Sequence, residues 1–426
     1  RVVFATLLEN GIQITKDISL QSGKYYFDVA ITLQNTTDSE ILASYSITVA
    51  NGLYPEIDKI TGLASIAGID VGKGKTKIAH TDVKDMPYKN ESVGITMAGA
   101  TNKYFAAVLK PSVNNRIAAV TSESVKNPDP FYEDDFIVDL HAKRVSILPQ
   151  SERRHDYAFF LGPKNNEALT QCDGLLAISD YDFGMTRSIC KVLVKILNMF
   201  YGVIPNYGVS ILLLTFLVKL VLFPLTRKSQ MSMVRMQQLQ PLIAQLKEKH
   251  KGDKQKVGQE QMKLFKQHGV NPMSGCFPIL LQLPVFFALF RTLQNSFEMR
   301  QAPFVSWVTD LSEPDKLLQL PFTIPFLGEW LNILPLIMGA ASFVQMKLTP
   351  KTTGDDPQAR MQQKMMQMMP LIFPVILYNF PSGLTLYWTT STMISIGEQI
   401  LIRRSVKKLD IYYKGKRVID AKAKVK

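Results

Sequence analysis

The sequence predicts a multi-domain membrane protein: an all-β domain, then an α-helical core of five membrane spans with a helical hairpin on the cytoplasmic side. Three observations carry that reading. Up to about residue 160 the chain alternates short β-branched and aromatic runs with turn signals. Apolar blocks long enough to approach the thickness of a bilayer begin only after residue 206. Charge is divided in the same place, because residues 1–180 hold 18 Lys and Arg against 22 Asp and Glu while the remainder holds 31 against 14. The formal net charge of +13 therefore belongs to the apolar half. A basic excess beside apolar spans marks cytoplasmic loops, with nucleic-acid binding as the second reading. Cys172, Cys190 and Cys276 are scattered without ligand spacing, which excludes a disulfide framework or a zinc site as the organising feature.

Strands are expected at Ile12–Leu20, Tyr25–Leu33, Ile41–Val49, Phe105–Leu109, Phe136–Leu140 and Tyr157–Leu161, separated by turns such as Gln21-Ser22-Gly23. So many short strands argue for a sandwich, placed at residues 1–175. The acidic loop Asp129–Asp135 lacks the ordered spacing and turn glycine of a calcium loop and reads as a solvated face. No signal peptide is visible and Arg1 opens directly into a strand-like pattern, so an N-terminal anchor or signal is expected ahead of it.

Within the next segment, 176–206, Ile189, Val192, Leu193, Ile196, Leu197 and Phe200 recur at helical spacing, with Arg187, Lys191 and Lys195 elsewhere on the wheel. The pattern, read over Tyr181–Tyr201, is that of an amphipathic helix in the membrane interface; the competing reading is a surface helix packed on the β domain. The core follows at 207–402, with spans at about 208–226, 273–297, 331–348, 366–380 and 384–402. The hairpin at 228–268 has one apolar stripe at Leu239, Leu242, Ile243 and Leu246, a turn at Gly252-Asp253, and a second face at Val257, Gln261 and Leu264. Phe380-Pro381-Ser382-Gly383 breaks the last apolar block so that the chain reverses. Ten basic residues in 227–268 and ten in the tail 403–426 place both inside. The connection 298–329 carries two basic residues against five acids and is placed outside.

Lys219 lies at mid-depth of the first span, where a cation costs roughly 2.5–3.5 kcal/mol on insertion scales. It should face water or a partner. Snorkelling is the alternative, but Leu220, Val221, Leu222 and Phe223 separate it from the basic flank at Arg227 and Lys228. Thr215 stands one turn earlier on the same face, and Gln282 offers an amide from another span. Thr385, Thr389, Thr390, Ser391, Thr392 and Ser395 crowd the last span. Singly such hydroxyls bond their own helix or a neighbour; as a set beside a mid-depth cation they point to a wetted cavity. Methionines gather on the cytoplasmic flank, at Met231, Met233, Met236 and from Met361 to Met369, as fillers of a core or as a surface that accepts many apolar sequences.

NPMSGCFPILLQLPVFFALF (Asn271–Phe290), RQAPFVSWVTDLS (Arg300–Ser312) and FPSGLTLYW (Phe380–Trp388) resemble the YidC-type membrane protein insertases of Gram-negative bacteria. The likeness covers Tyr181 to about Arg404. It implies a β-supersandwich periplasmic domain and five core helices around a hydrophilic groove, open to cytoplasm and lipid and closed toward the periplasm, with a basic residue inside. That residue is usually arginine in the family; Lys219 at the matching position keeps the charge and drops the planar bidentate fork. Groove or substrate-contact roles are implied for Lys219, Thr215, Gln282, Tyr387 and Trp388. The implied location is the bacterial inner membrane, with the C-terminus cytoplasmic. The implied partners are nascent membrane proteins, the Sec translocon, the ribosome and membrane lipids, with no small-molecule cofactor.

Two function classes compete. An insertase would lower the barrier for moving a polar tail across by offering water and a positive charge part-way through the bilayer. A secondary transporter would use Lys219 as substrate counter-ion, but its usual paired repeats do not fit five spans with a hairpin after the first. Glu398 could couple such transport, although its nearness to Arg403 in sequence reads as an interfacial pair. No nucleophile, base and orienter set and no phosphate loop is present, so an enzyme is not expected. The basic tail reads as a nucleic-acid arm, which in the insertase picture becomes a contact to ribosomal RNA.

Overall fold

The computed structural model describes residues 1–51, 64–70, 75–82, 85–92, 94–112, 117–125, 135–183, 186–250, 253–271, 277–325, 327–348, 368, 372–405, 412–413 and 416–417. The chain divides into two units, Arg1–Met185 with Asn295–Glu298, and Thr186–Gln294 with Met299–Lys426.

The first unit is a β-sandwich. Its strands are β1 (Val2–Leu7), β2 (Ile12–Leu20), β3 (Tyr26–Asn35), β4 (Ile41–Ala43), β5 (Ser46–Asn51), β6 (Ala64–Asp70) and β7 (Thr76–Asp82). They continue with β8 (Tyr88–Asn90), β9 (Ile95–Thr101), β10 (Phe105–Pro111), β11 (Ile117–Val125), β12 (Asp135–Ala142), β13 (Val145–Ile147) and β14 (Glu152–Pro163). An eight-stranded sheet runs β1-β2-β3-β14-β10-β9-β6-β7, and a four-stranded sheet runs β5-β12-β11-β8. Ile31, Leu33 and Leu109 of the large sheet meet Val120, Phe136, Val138 and Leu140 of the small one in a shared core. The other face of the large sheet is covered too: Ile66, Met97, Val108 and Phe160 pack with Ala168 and Leu169 of α1 (Asn166–Leu169) and with Ile178 of α2 (Leu176–Phe183).

That double cover explains which strands could be read from sequence. β2, β3, β10, β12 and β14 coincide with expected runs, and Ile41–Val49 becomes the two strands β4 and β5. β6 (ASIAGID) and β9 (ITMAGAT) were not expected, because strands buried on both faces lose the polar alternation and these two are rich in alanine and glycine. Their small residues have a reason. A Cβ on Gly99 would lie 2.1 Å from the carbonyl oxygen of Ala107 on the next strand. The acidic loop expected at Asp129 lies outside the described residues, apart from Asp135 at the start of β12.

The second unit is helical. α3 is Arg187–Val203, α4 Tyr207–Gln238, α5 Gln240–Lys249, α6 Lys254–Gln267, α7 Phe277–Asn295, α8 Ile333–Leu348 and α9 Ser382–Ser405, with residues 372–376 also helical. The segment 176–206 thus holds two helices rather than one, α2 in the first unit and α3 in the second. α3 buries Cys190, Leu193, Val194 and Leu197 and leaves Ile189, Val192 and Met199 exposed. The Cys190 thiol donates to the Ala288 carbonyl of α7 at 3.3 Å, so the helix is seated on the helical unit.

α4 departs from the expected span. Instead of ending near residue 226 it runs on for 32 residues through Arg227 and Lys228, with Pro224 inside it. At 1.5 Å per residue this is about 48 Å, longer than a hydrocarbon core of about 30 Å. Lys, Arg, Gln and Met are good helix formers, and nothing in that stretch caps a helix. Met236, Leu239, Leu242, Ile243, Phe265 and Val270 then form a small core among α4, α5, α6 and the residues after α6. The turn glycine expected at Gly252 lies outside the described residues, while Asp253 caps α6 by accepting from the Lys256 amide at 3.0 Å. By length and composition α4 is the one helix among the described residues long and apolar enough to cross a membrane; α7 and α8 are apolar but shorter.

Candidate functional site

α4 carries Lys219 on a buried stripe. Asn206 caps the helix by accepting from the Val209 amide at 3.0 Å, and its own amide donates to the Phe304 carbonyl at 2.9 Å. Gly208 lies against the Phe304 ring, where a Cβ would fall 2.1 Å from a ring carbon. From there Ile211, Thr215, Lys219 and Thr226 recur at helical spacing and are buried, while Phe216, Leu220 and Val221 on the other side are exposed. An apolar exposed face opposite a polar buried one inverts the pattern of a water-soluble helix and suits one bordered by lipid.

The buried stripe meets α9. That helix starts at the break after Pro381, where the Ser382 amide donates to the Glu313 carbonyl at 2.6 Å and the Gly383 amide to the Leu311 carbonyl at 2.9 Å. Along one side of α9, Tyr387, Ser391, Ser395 and Glu398 follow at intervals of four, four and three residues, and all are buried. Lys219 Nζ donates to Ser395 Oγ at 2.7 Å, and Lys219 itself is only 9% exposed. One turn away, Gln282 Nε2 of α7 donates to Ser391 Oγ at 3.0 Å, and the Tyr387 hydroxyl lies beside both. Glu398 is 8% exposed and is the acid whose charge acts on Lys219. Arg403 turns to the carbonyl of Leu348.

The expected residues therefore separate into roles by geometry. Lys219, Gln282 and Tyr387 converge on the α9 stripe. Thr215 shares the face of Lys219 but spends its hydroxyl on its own helix, donating to the Ile211 carbonyl at 2.6 Å. Trp388 sits aside from the stripe, edge-on to Phe286 at 5.1 Å and tilted against Phe373 at 4.5 Å, where it ties α9 to α7 and to residues 372–376. The hydroxyls of α9 divide the same way: Thr389 and Thr392 bond the carbonyls four residues back, at 2.7 and 2.8 Å, leaving Ser391 and Ser395 to receive the side chains from α7 and α4. Glu398 is the residue that sequence reasoning assigned elsewhere. The signal that could have placed it was its three-residue step from Ser395. A small pocket of about 20 Å³ lies farther along, lined by Gln230, Met233 and Val234 of α4, Leu348 of α8 and Gln399, Ile402 and Arg403 of α9.

No group of three or more His, Cys, Asp or Glu among the described residues could hold a metal ion. What the arrangement supplies is hydrogen-bonding capacity and a fixed charge inside a helical layer whose outer faces are apolar.

Two family descriptions match the chain: "YidC periplasmic domain" over residues 1–196 and "60Kd inner membrane protein" over residues 199–409. A membrane protein insertase YidC of Syntrophobacter fumaroxidans is 45% identical over 415 residues, covering 94% of this chain and 70% of that protein. One from Pelobacter propionicus is 40% identical over 309 residues, 72% of this chain and 54% of that protein. The chain thus spans little more than half the length of one of these relatives and about two thirds of the other. A crystal structure described as an active YidC insertase with its first transmembrane domain resolved aligns with 92% of this chain and 93% of its own, at 20% identity and a TM-score of 0.39.

Proposed function

The chain belongs to the YidC family of membrane protein insertases, and from that premise we propose that it takes hydrophobic segments of nascent membrane proteins from the cytoplasm and releases them into the inner membrane. The observation that carries the reading is the buried polar stripe of α9 with Lys219 hydrogen-bonded to it. A client's apolar segment needs no help once it touches lipid. Its polar flank does, because each unsatisfied polar group in hydrocarbon costs several kcal/mol. Hydroxyls, an amide and a cation part-way through lower that cost, and the cation favours acidic flanks. No bond is made or broken, so the work is one of solvation.

In this reading the spans lie at about 208–226, 273–297, 331–348, 366–380 and 384–402, with α4 projecting into the cytoplasm beyond its span. The hairpin 228–268 and the tail 403–426 are cytoplasmic, and 1–175 and 298–330 are periplasmic. The nine basic residues of the hairpin and the ten of the tail support that orientation and offer a surface to ribosomal RNA. The chain acts alone or beside the Sec translocon, and the polar stripe gives a client a chaperoned stop. The transporter reading of Lys219 gains nothing from the geometry, since the partner of Lys219 is a serine on a neighbouring helix.

Two experiments test the proposal. A photo-crosslinking phenylalanine derivative at Trp388, beside the stripe, should capture a stalled nascent single-span protein, and capture of lipid alone would remove the reading. Single cysteines at Lys256 and at Gln319, labelled from each side of intact cells, should react from opposite sides. Labelling of both from outside would overturn the orientation while leaving the crosslink informative.

A further inference from the structure

The connection before α8 holds an element that the site does not use. β15 (Leu318–Ile324) and β16 (Gly328–Leu331) form a hairpin in which no described side chain is buried. Leu318 is 56% and Phe322 59% exposed, and Trp330 is exposed as well. Apolar residues fall at every second position of β15, Leu318, Leu320, Phe322 and Ile324, which is the pattern of a strand with one apolar face. Leu318 pairs with Leu331 across the ladder. Between Leu317 and Leu331 the single charged residue is Glu329, which accepts from the Thr323 hydroxyl at 3.2 Å. A two-stranded hairpin with its apolar side in water is marginal by itself.

Its base, by contrast, is held firmly. Asp315 is buried and caps α8, accepting from the amides of Ile333 at 2.8 Å and Leu334 at 3.0 Å and from the Trp307 indole at 3.0 Å. Asn332 accepts from the Lys316 amide at 3.0 Å on one side of the hairpin and donates to the Tyr378 carbonyl at 2.9 Å on the other. The Tyr378 hydroxyl donates to the Trp330 carbonyl at 3.1 Å. Both strands are therefore tied to the end of an apolar helix, and only two residues separate Trp330 from Ile333, where that helix begins. α8 exposes Leu336, Phe343 and Val344, so the apolar phase around it starts within one turn of the hairpin base. An exposed tryptophan at such a level, here Trp330, favours the boundary between headgroups and acyl chains.

We infer that the hairpin 318–331 is a membrane-surface anchor: its apolar side chains lie in the headgroup region of the phospholipid leaflet from which α8 emerges. The occupant of the exposed face is lipid, because the face is continuous with the lipid-bordered end of α8, carries almost no charge and is rigidly held beside it. This rests on the reading of α8 as a membrane span. Which leaflet is involved depends on the proposed orientation and is tested separately.

The test uses the full chain in phosphatidylethanolamine and phosphatidylglycerol vesicles, with Cys172→Ala, Cys190→Ala and Cys276→Ser as background. A nitrobenzoxadiazole label is placed at Phe322→Cys or, for comparison, at Pro325→Cys near the hairpin tip. At Phe322→Cys the label should emit at shorter wavelength and be quenched several-fold more by lipids bearing a nitroxide near the headgroup than by nitroxide deep in the acyl chain. Equal access to aqueous iodide before and after reconstitution, without lipid quenching, overturns the anchor. Protection from iodide without lipid quenching also overturns it, since a protein then covers the face. Dithionite reduction, compared with a label at Ser405→Cys, reads the side: reduction of the two labels in the same vesicles would keep the anchor and overturn only the orientation. Leu336→Cys in α8 should be quenched by deep nitroxide lipids; if it is not, the span reading has failed rather than the hairpin.

Discussion

Lys219 donates to a serine hydroxyl, with the Glu398 carboxylate one turn farther along the same helix, so its charge is moderated without being consumed in a contact ion pair. A moderated cation can still act on a client, because Coulomb attraction in a partly wet site survives a change of head group. Lys219→Arg should therefore insert clients normally, whereas Lys219→Leu should slow those with acidic translocated tails, read by protease protection in vesicles as tail charge is varied. Equal efficiency for all tails in Lys219→Leu would remove the electrostatic part of the mechanism. The same substitution strands Glu398, a buried acid deprived of its cation. Adding Glu398→Gln to Lys219→Leu should recover stability, with a coupling of about 0.5–3 kcal/mol in thermal unfolding of the purified protein; additive effects would mean that the two charges act independently. In the other unit, burial pushes the Cys172 thiol up from its usual range. At neutral pH it should then alkylate with iodoacetamide on the order of tenfold or more slower than after unfolding in urea, and fast labelling of the native protein would contradict its burial.

At the scale of elements, the two strands least visible in sequence, β9 and β6, are interior strands of the large sheet, between β10 and the edge strand β7. β9 is buried along its whole length and uses Gly99 where the neighbouring strand leaves no room for a Cβ. Gly99→Val should cost about 1–3 kcal/mol through overpacking, seen as earlier thermal loss of the sandwich signal and faster proteolysis. Native stability in Gly99→Val would show that β10 can shift. α4 teaches the opposite lesson, since its apolar run was plain but its end was not. The residues after Leu225 satisfy helix propensity as well as the first half does, and a change in polarity along a helix is not a change in backbone. The expected hairpin therefore starts inside a helix that began in the span.

For the whole molecule, charge is the property most evenly legible: the excess of basic residues after residue 180 is a count, independent of how the chain folds. Deleting Lys407–Lys426 should weaken ribosome association, and raising salt should do the same to the intact protein, because phosphate contacts release counterions. Salt-independent binding by the shortened chain would refute the electrostatic account. Sequence alone determined that a β-rich domain precedes an apolar helical region, since alternation and apolar run length are properties of neighbouring residues. It also marked Lys219, because a charge inside an apolar run is conspicuous wherever the run goes. Only the tertiary structure decided which hydroxyls receive the cation. Thr389, Thr392, Ser391 and Ser395 are alike in sequence, but α9 turns two of them to its own carbonyls and two toward α4 and α7. Only the fold brought Glu398 to the side of Lys219 rather than Arg403, because the rotation of a helix about its axis is set by what packs against it and leaves no local trace.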